Sequence, residues 1–183
     1  MNRSLLVIAA FALLASCGND DKTQEKIEMK KADQKEALHN SILRIEGEMH
    51  RTDQLNNVLA GQAVKAYDDY ASMYPDDSLA PDYLFKAAEI TTATKQYPQS
   101  AGYYEKIISD FPKYRLLQEC YFMEATVYDQ YLNQDDKARK IYEKFLSIYP
   151  DSHYAADVKA AISNLGKSDE ELIKEFEKKN KGK

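Results

Sequence analysis

Three stretches decide the fold: Ala63-x-x-x-Tyr67-x-x-Tyr70-x-x-x-Tyr74-Pro75, Ser100-x-x-x-Tyr104-x-x-Ile107-x-x-x-Phe111-Pro112 and Ala138-x-x-x-Tyr142-x-x-Phe145-x-x-x-Tyr149-Pro150. Each carries a small residue, an aromatic four on, an apolar or aromatic residue three further, and a closing aromatic–proline pair. Pro75 to Pro112 is 37 residues and Pro112 to Pro150 is 38. A fixed period between about 20 and 50 residues is the signature of a solenoid. Steps of three and four put these positions on one helix face. The small residue lets a neighbouring helix come close, and the aromatic fills the gap between adjacent pairs. The proline ends the helix, because it lacks an N–H and restricts the residue before it.

Partner helices fit between these stretches. Ser78-Leu79-Ala80-Pro81 reads as a helix start, with Ser78 as N-cap and a proline in the first turn. That helix runs through Leu84, Ala87, Ala88 and Thr91, and the next through Tyr121, Glu124, Ala125 and Tyr128. Leu84 to Tyr121 and Ala88 to Ala125 are 37 residues each. Lys95-Gln96-Tyr97-Pro98 and Asn133-Gln134-Asp135 are the turns within units. Upstream, Leu38, Ile42, Ile45 and Met49 form the stripe of a long first helix, with Gly61 expected near its end. Downstream, Ser152 is placed to cap a helix carrying Tyr154, Ala155, Val158, Ala161, Ile162 and Leu165, which Gly166 stops. Ser168 and Glu171 have capping-box spacing ahead of Leu172, Ile173 and Phe176.

This small–aromatic–apolar–proline pattern resembles the tetratricopeptide repeat over about residues 38–165. The units are 37 and 38 residues rather than about 34, Ser100 stands for alanine, and Ala88 and Ala125 stand for glycine. The resemblance implies an all-α chain, an α-solenoid of helix pairs with a C-terminal capping helix. It also implies a protein-binding groove lined by the first helix of each pair. Those positions are Asp82, Phe85, Glu89 and Thr92 in one unit and Glu119, Phe122, Thr126 and Asp129 in the next. An apolar strip rimmed by carboxylates suits an extended or helical peptide with basic flanks. The other reading has Phe85 and Phe122 packed against an adjacent helix.

The N-terminal sequence is of a different kind. Leu5 to Leu14 is an unbroken apolar run of ten, preceded by Arg3 and followed by Ala15-Ser16-Cys17. Ten residues are too few to cross a bilayer about 30 Å thick. Basic start, apolar core and small residues in that order are a secretory signal. Leu14-Ala15-Ser16-Cys17 resembles a bacterial lipobox, which implies cleavage before Cys17, acylation of its thiol and a stable lipid anchor. Gly18 follows, not the aspartate of inner-membrane retention, so the expected place is the outer membrane, on the periplasmic side rather than the cell surface. The domain reading is a lipoprotein signal peptide at 1–16, a charged tether at 17–36, the helical domain at 37–179 and a frayed tail at 180–183.

Composition narrows the function. Hydrophobic residues make 44%, charged residues 30%, and mean hydropathy is −0.63, which excludes a multi-pass membrane protein. The net charge of −5 argues against nucleic acid as a partner. Cys120 sits in an apolar stripe and is expected to be a small buried residue. His39, His50 and His153 are the only histidines, so no metal site and no cofactor are expected, and no catalytic constellation points to an enzyme. The expected role is a lipid-anchored scaffold for protein partners of the bacterial envelope. Its architecture resembles the BamD-type lipoproteins of outer-membrane protein assembly. The alternative is a surface lipoprotein that binds glycan or another nutrient on its 14 tyrosines.

Overall fold

The computed structural model describes residues 17–51 and 56–181. The signal-peptide reading of residues 1–16 lies outside them. Eight α-helices follow in order: α1 (Cys17–Met49), α2 (Asn57–Met73), α3 (Ala80–Ala93), α4 (Tyr97–Asp110), α5 (Leu117–Thr126), α6 (Asp135–Ile148), α7 (Ala155–Asn164) and α8 (Asp169–Lys181). A π-helical segment, Val127–Tyr131, continues α5. Each helix from α1 to α6 packs on the next, and no strand occurs among the described residues. The chain is thus an α-solenoid of three pairs, α1/α2, α3/α4 and α5/α6, followed by α7 and α8.

The period in the sequence is the core of the fold. Ala63, Ser100 and Ala138, then Tyr67, Tyr104 and Tyr142, then Tyr70, Ile107 and Phe145 are all at most 2% exposed. Ser100 fits where alanine was expected because its hydroxyl finds the α3 backbone. Its Oγ donates to the Ala88 carbonyl at 3.0 Å, a contact that needs two helices in close approach.

The loops repeat as closely as the helices. Tyr74, Phe111 and Tyr149 end α2, α4 and α6 with φ between −131 and −124° and ψ between 58 and 62°. Each precedes a proline, which disfavours the helical region for the residue before it. Two consecutive turns follow in every case. Asp77, Tyr114 and Ser152 donate N–H to Tyr74, Phe111 and Tyr149, and Ala80, Leu117 and Ala155 donate to Asp77, Tyr114 and Ser152. The shared third residue then reaches back to the first helix of its own pair. Asp77 pairs with Lys35 of α1, Tyr114 Oη donates to Asp82 of α3 at 2.7 Å, and Ser152 Oγ donates to Gln118 of α5 at 2.6 Å.

This double turn corrects two expected caps. α3 has Leu79 at its N-cap with no side-chain bond, and α7 has Tyr154 there. Ser78 and Ser152 precede the helix too early to cap it. The exposed donor is the N–H two residues beyond the shared position. Asp77 Oδ1 accepts from Leu79 N at 2.8 Å and Ser152 Oγ from Tyr154 N at 3.2 Å, a local side-chain bond of the Asx and Ser/Thr type.

Asp77 therefore ties α1, α2 and α3 together. Burial disfavours its charge, but bonds from Lys35 and Leu79 outweigh that and hold its carboxyl below the ordinary value. A depressed acid stabilises above its unfolded value and loses that stabilisation as pH falls through the folded one. Asp77→Ala is expected to cost about 1–2 kcal/mol at pH 7 and much less near pH 3, measured by urea unfolding at both.

The change of period has a structural location. Ala88 to Ala125 is 37 residues, whereas Lys95 to Asn133 is 38. Lys95 and Asn133 are equivalent, each left-handed at φ 61° and 51° in the turn between paired helices. The extra residue thus enters between Ala125 and Asn133, where the chain is π-helical and Leu132 N bonds Val127 O at 3.1 Å. A π-bulge absorbs one added residue without unwinding the helix. It also seats Tyr131 on Tyr97 of α4, rings parallel within 6° and 4.4 Å apart.

The N-terminal end differs from expectation in the place of Gly61, and the C-terminal end follows it. α1 runs unbroken from Cys17, so the charged stretch 17–36 is helical. Its side chains are exposed from residue 24 to residue 34, and burial begins at Lys35. Its Glu, Lys, Gln and Ala content favours helix without a partner face. Gly61 is not near the end of this helix. α1 stops at Met49, Asn56 caps α2 through bonds to Val58 N and Leu59 N, and Gly61 lies in the second turn of α2. At the C-terminal end Gly166 takes φ 77° and stops α7. The capping box forms: Ser168 N bonds Glu171 Oε2 at 2.9 Å and Glu171 N bonds Ser168 Oγ at 3.3 Å.

Candidate protein-interaction ridge

The eight expected groove residues fall on α3, α5 and the π-helical segment, at steps of three and four along each. Their surroundings differ. Phe85 is half-buried, with its ring edge-on to Tyr104 at 5.8 Å and close to Tyr114 at 6.4 Å. Phe122 repeats this, 6.3 Å from Tyr142 and stacked on Tyr154 at 5.4 Å. Both phenylalanines pack against the second helix of their own pair and present only part of a ring outward. Thr92 and Thr126 bond the carbonyls of Ala88 and Phe122 at 2.9 and 2.8 Å. Their hydroxyls also meet Ser100 Oγ and Tyr142 Oη. These two threonines fasten paired helices together.

The acids differ from one another. Asp82 is held by Arg115 at 2.7 Å and by the Tyr114 hydroxyl, so the loop after α4 covers part of its charge. Glu89 is exposed. Partial desolvation of its carboxyl still raises its pKa, with the Lys86 charge opposing. Glu119 is half-buried beside the Tyr154 hydroxyl. Asp129 is also half-buried, and its pKa is raised by burial and then by the charge of Asp135. Each end of the ridge opens into a cleft. Asp82 lines one of about 650 Å³ with Pro75, Phe111, Pro112 and Arg115. Asp129 lines another of about 720 Å³ with Asn133, Asp135, Gly166 and Lys167.

A charged knot that sequence reading did not find borders the ridge. Glu46 of α1 accepts from Lys86 of α3 at 2.7 Å and from the Tyr67 hydroxyl of α2 at 2.8 Å. Burial opposes its charge, but these bonds prevail and keep its pKa below the ordinary value. Tyr67 and Tyr83 stack beneath, 5.3 Å apart. His39 is half-buried with Nδ1 2.6 Å from the Tyr83 hydroxyl. Cys120 is fully buried and its thiol pKa is pushed up by that burial, which leaves it unreactive. No group of three or more metal-ligating side chains converges among the described residues. No described helix is long and apolar enough to cross a membrane.

An α-solenoid of repeated helix pairs with a polar ridge of first helices is the architecture of a helical-repeat interaction fold. Residues 119–152, from α5 through the π-helical segment and α6 into the loop that follows it, match the family model described as the tetratricopeptide repeat. No curated protein matches the chain. Domains of this repeat bind protein partners, and the chain has that architecture.

Proposed function

We propose that the chain is a lipid-anchored scaffold that holds protein partners in the bacterial envelope, at the outer membrane on its periplasmic side. The observation that carries the scaffold is the repeat at 119–152 set in an array whose first helices present the exposed Glu89 and the half-buried Glu119 and Asp129. The anchor rests on the lipobox-like Leu14-Ala15-Ser16-Cys17. Participation in outer-membrane protein assembly rests on resemblance to BamD-type lipoproteins. Binding of glycan by tyrosine platforms loses its motive, because Tyr67, Tyr104 and Tyr142 are spent on packing.

Cross-linking in whole cells from a photoreactive residue at position 89, in the natural chain and in Cys17→Ser, tests both parts. The scaffold predicts a discrete protein adduct from the natural chain. The anchor predicts that Cys17→Ser leaves the membrane fraction and that the adduct weakens with it. No adduct refutes the scaffold, and a Cys17→Ser chain still in the membrane fraction refutes the anchor.

A further inference from the structure

Glu124 lies on the face of α5 turned toward α4 and α6 and is 7% exposed. The corresponding residue of the preceding pair, 37 positions earlier, is Ala87, which is fully buried. A carboxyl thus occupies a place the repeat reserves for a methyl group. Burial and the surrounding charges set the environment of this carboxyl.

The charged and titratable groups facing it come from three helices. Glu105 faces it from α4, Cys120 and Tyr128 from α5, and Lys137 and Lys144 from α6. Neither lysine closes an ion pair with it. The Lys137 ammonium sits 4.8 Å from the Tyr128 ring and that of Lys144 5.3 Å from the Tyr121 ring. These tyrosines flank Glu124 one turn to either side, so each lysine is held over a ring. Burial first, then the Glu105 charge, pushes the Glu124 carboxyl up to about 7 against the two lysines.

We propose that Glu124 makes the α4–α5–α6 junction a pH-sensitive joint, seated when its carboxyl is neutral and loosened when it is ionised. The ordinary value for the group is 4.5. Between 4.5 and about 7 the folded chain holds a proton that the unfolded chain has released, so stability falls as pH rises through that window and levels off above it. This runs opposite to Asp77 and Glu46, whose stabilisation is lost toward acid pH, so the two effects occupy different windows.

The test compares urea unfolding of the full chain, Glu124→Gln and Glu124→Ala at pH 5 and pH 8, with hydrogen exchange of α5 and α6 at the same two values. From pH 5 to pH 8 the unfolding constant of the natural chain is expected to rise about a hundredfold relative to Glu124→Gln. Loss of exchange protection should concentrate in α5 and α6. Glu124→Ala, which installs the residue found at Ala87, should show the same flat profile and carries the comparison if the glutamine variant does not fold. Parallel pH profiles for the natural chain and the variants overturn the proposal.

Discussion

Tyr104→Ala is expected to destabilise the chain by about 3–5 kcal/mol, as full truncation of a buried aromatic does. Tyr104 is 0% exposed in α4, in the middle pair, with Phe85 edge-on against it. Native stability is about 5–15 kcal/mol in total, so one such loss removes about a fifth of it or more. The position sharpens the expectation. In an array where each unit touches only its neighbours, a lesion in the middle weakens two interfaces and one at an end weakens one. Tyr104→Ala should therefore split urea unfolding into two steps, seen as non-coincident transitions by circular dichroism and tyrosine fluorescence. Tyr104→Phe should do the opposite. The Tyr104 hydroxyl is buried without a hydrogen-bond partner, so its removal should be neutral or should stabilise by up to about 1 kcal/mol. A large loss on Tyr104→Phe would contradict the packing described.

The second large effect concerns register. Gln130 and Glu89 are both exposed and both lie inside the first helix of a pair. Deleting Gln130 removes the added residue of the π-helical segment and restores the 37-residue spacing of the preceding unit. It is expected to cost less than about 1 kcal/mol, since a π-bulge is a one-residue insertion. The Tyr97–Tyr131 stack should be lost with it. Deleting Glu89 shortens α3, which has no residue to spare. Everything after it then rotates by about 100° relative to the helix before it. Thr91, fully buried and bonded to the Ala87 and Ala88 carbonyls, turns outward. Loss of more than about 4 kcal/mol is expected. Thermal unfolding followed by circular dichroism separates the two deletions, and equal costs would refute the placement of the extra residue.

Most of the fold was legible because the solenoid writes its core at a fixed period. The small–aromatic–apolar triplets of α2, α4 and α6 needed no tertiary information, and all nine positions are buried as read. The turn residues Lys95 and Asn133 and the capping box at Ser168 were readable for the same local reason. Features set by contacts between elements were not. The apolar stripe from Leu38 to Met49 does not show where α1 begins, because charged helix formers continue it back to Cys17. Ser78 looked like a cap, but the turn that fixes the donor is made by Asp77. The extra residue did leave a trace: Ala88 to Ala125 is 37 residues while Tyr104 to Tyr142 is 38. That mismatch confines the insertion to 126–141, and the two turn residues narrow it to the π-helical segment.

The ridge was legible as a row of positions and not as a surface. The resemblance put Phe85 and Phe122 in the groove, with packing against an adjacent helix as the other reading, and partners 19 to 32 residues away cover much of each ring. Asp82 was named as a groove acid, and Tyr114 and Arg115, which hold it, arrive from the loop after the following helix. Glu124 read as one more helical residue, and only the packing of α4 and α6 around it reveals a buried carboxyl.

A photoreactive residue moved one position at a time along α3 and α5 in whole cells tests the central claim most directly. If the first helices are the binding ridge, adducts to the same protein should recur every three or four positions, near Asp82, Lys86 and Glu89 and again near Glu119, Met123 and Thr126. Exposed positions on a second helix, such as Lys140 and Glu143 of α6, should give none. Equal adducts from α6, or none along α3 and α5, would contradict the account.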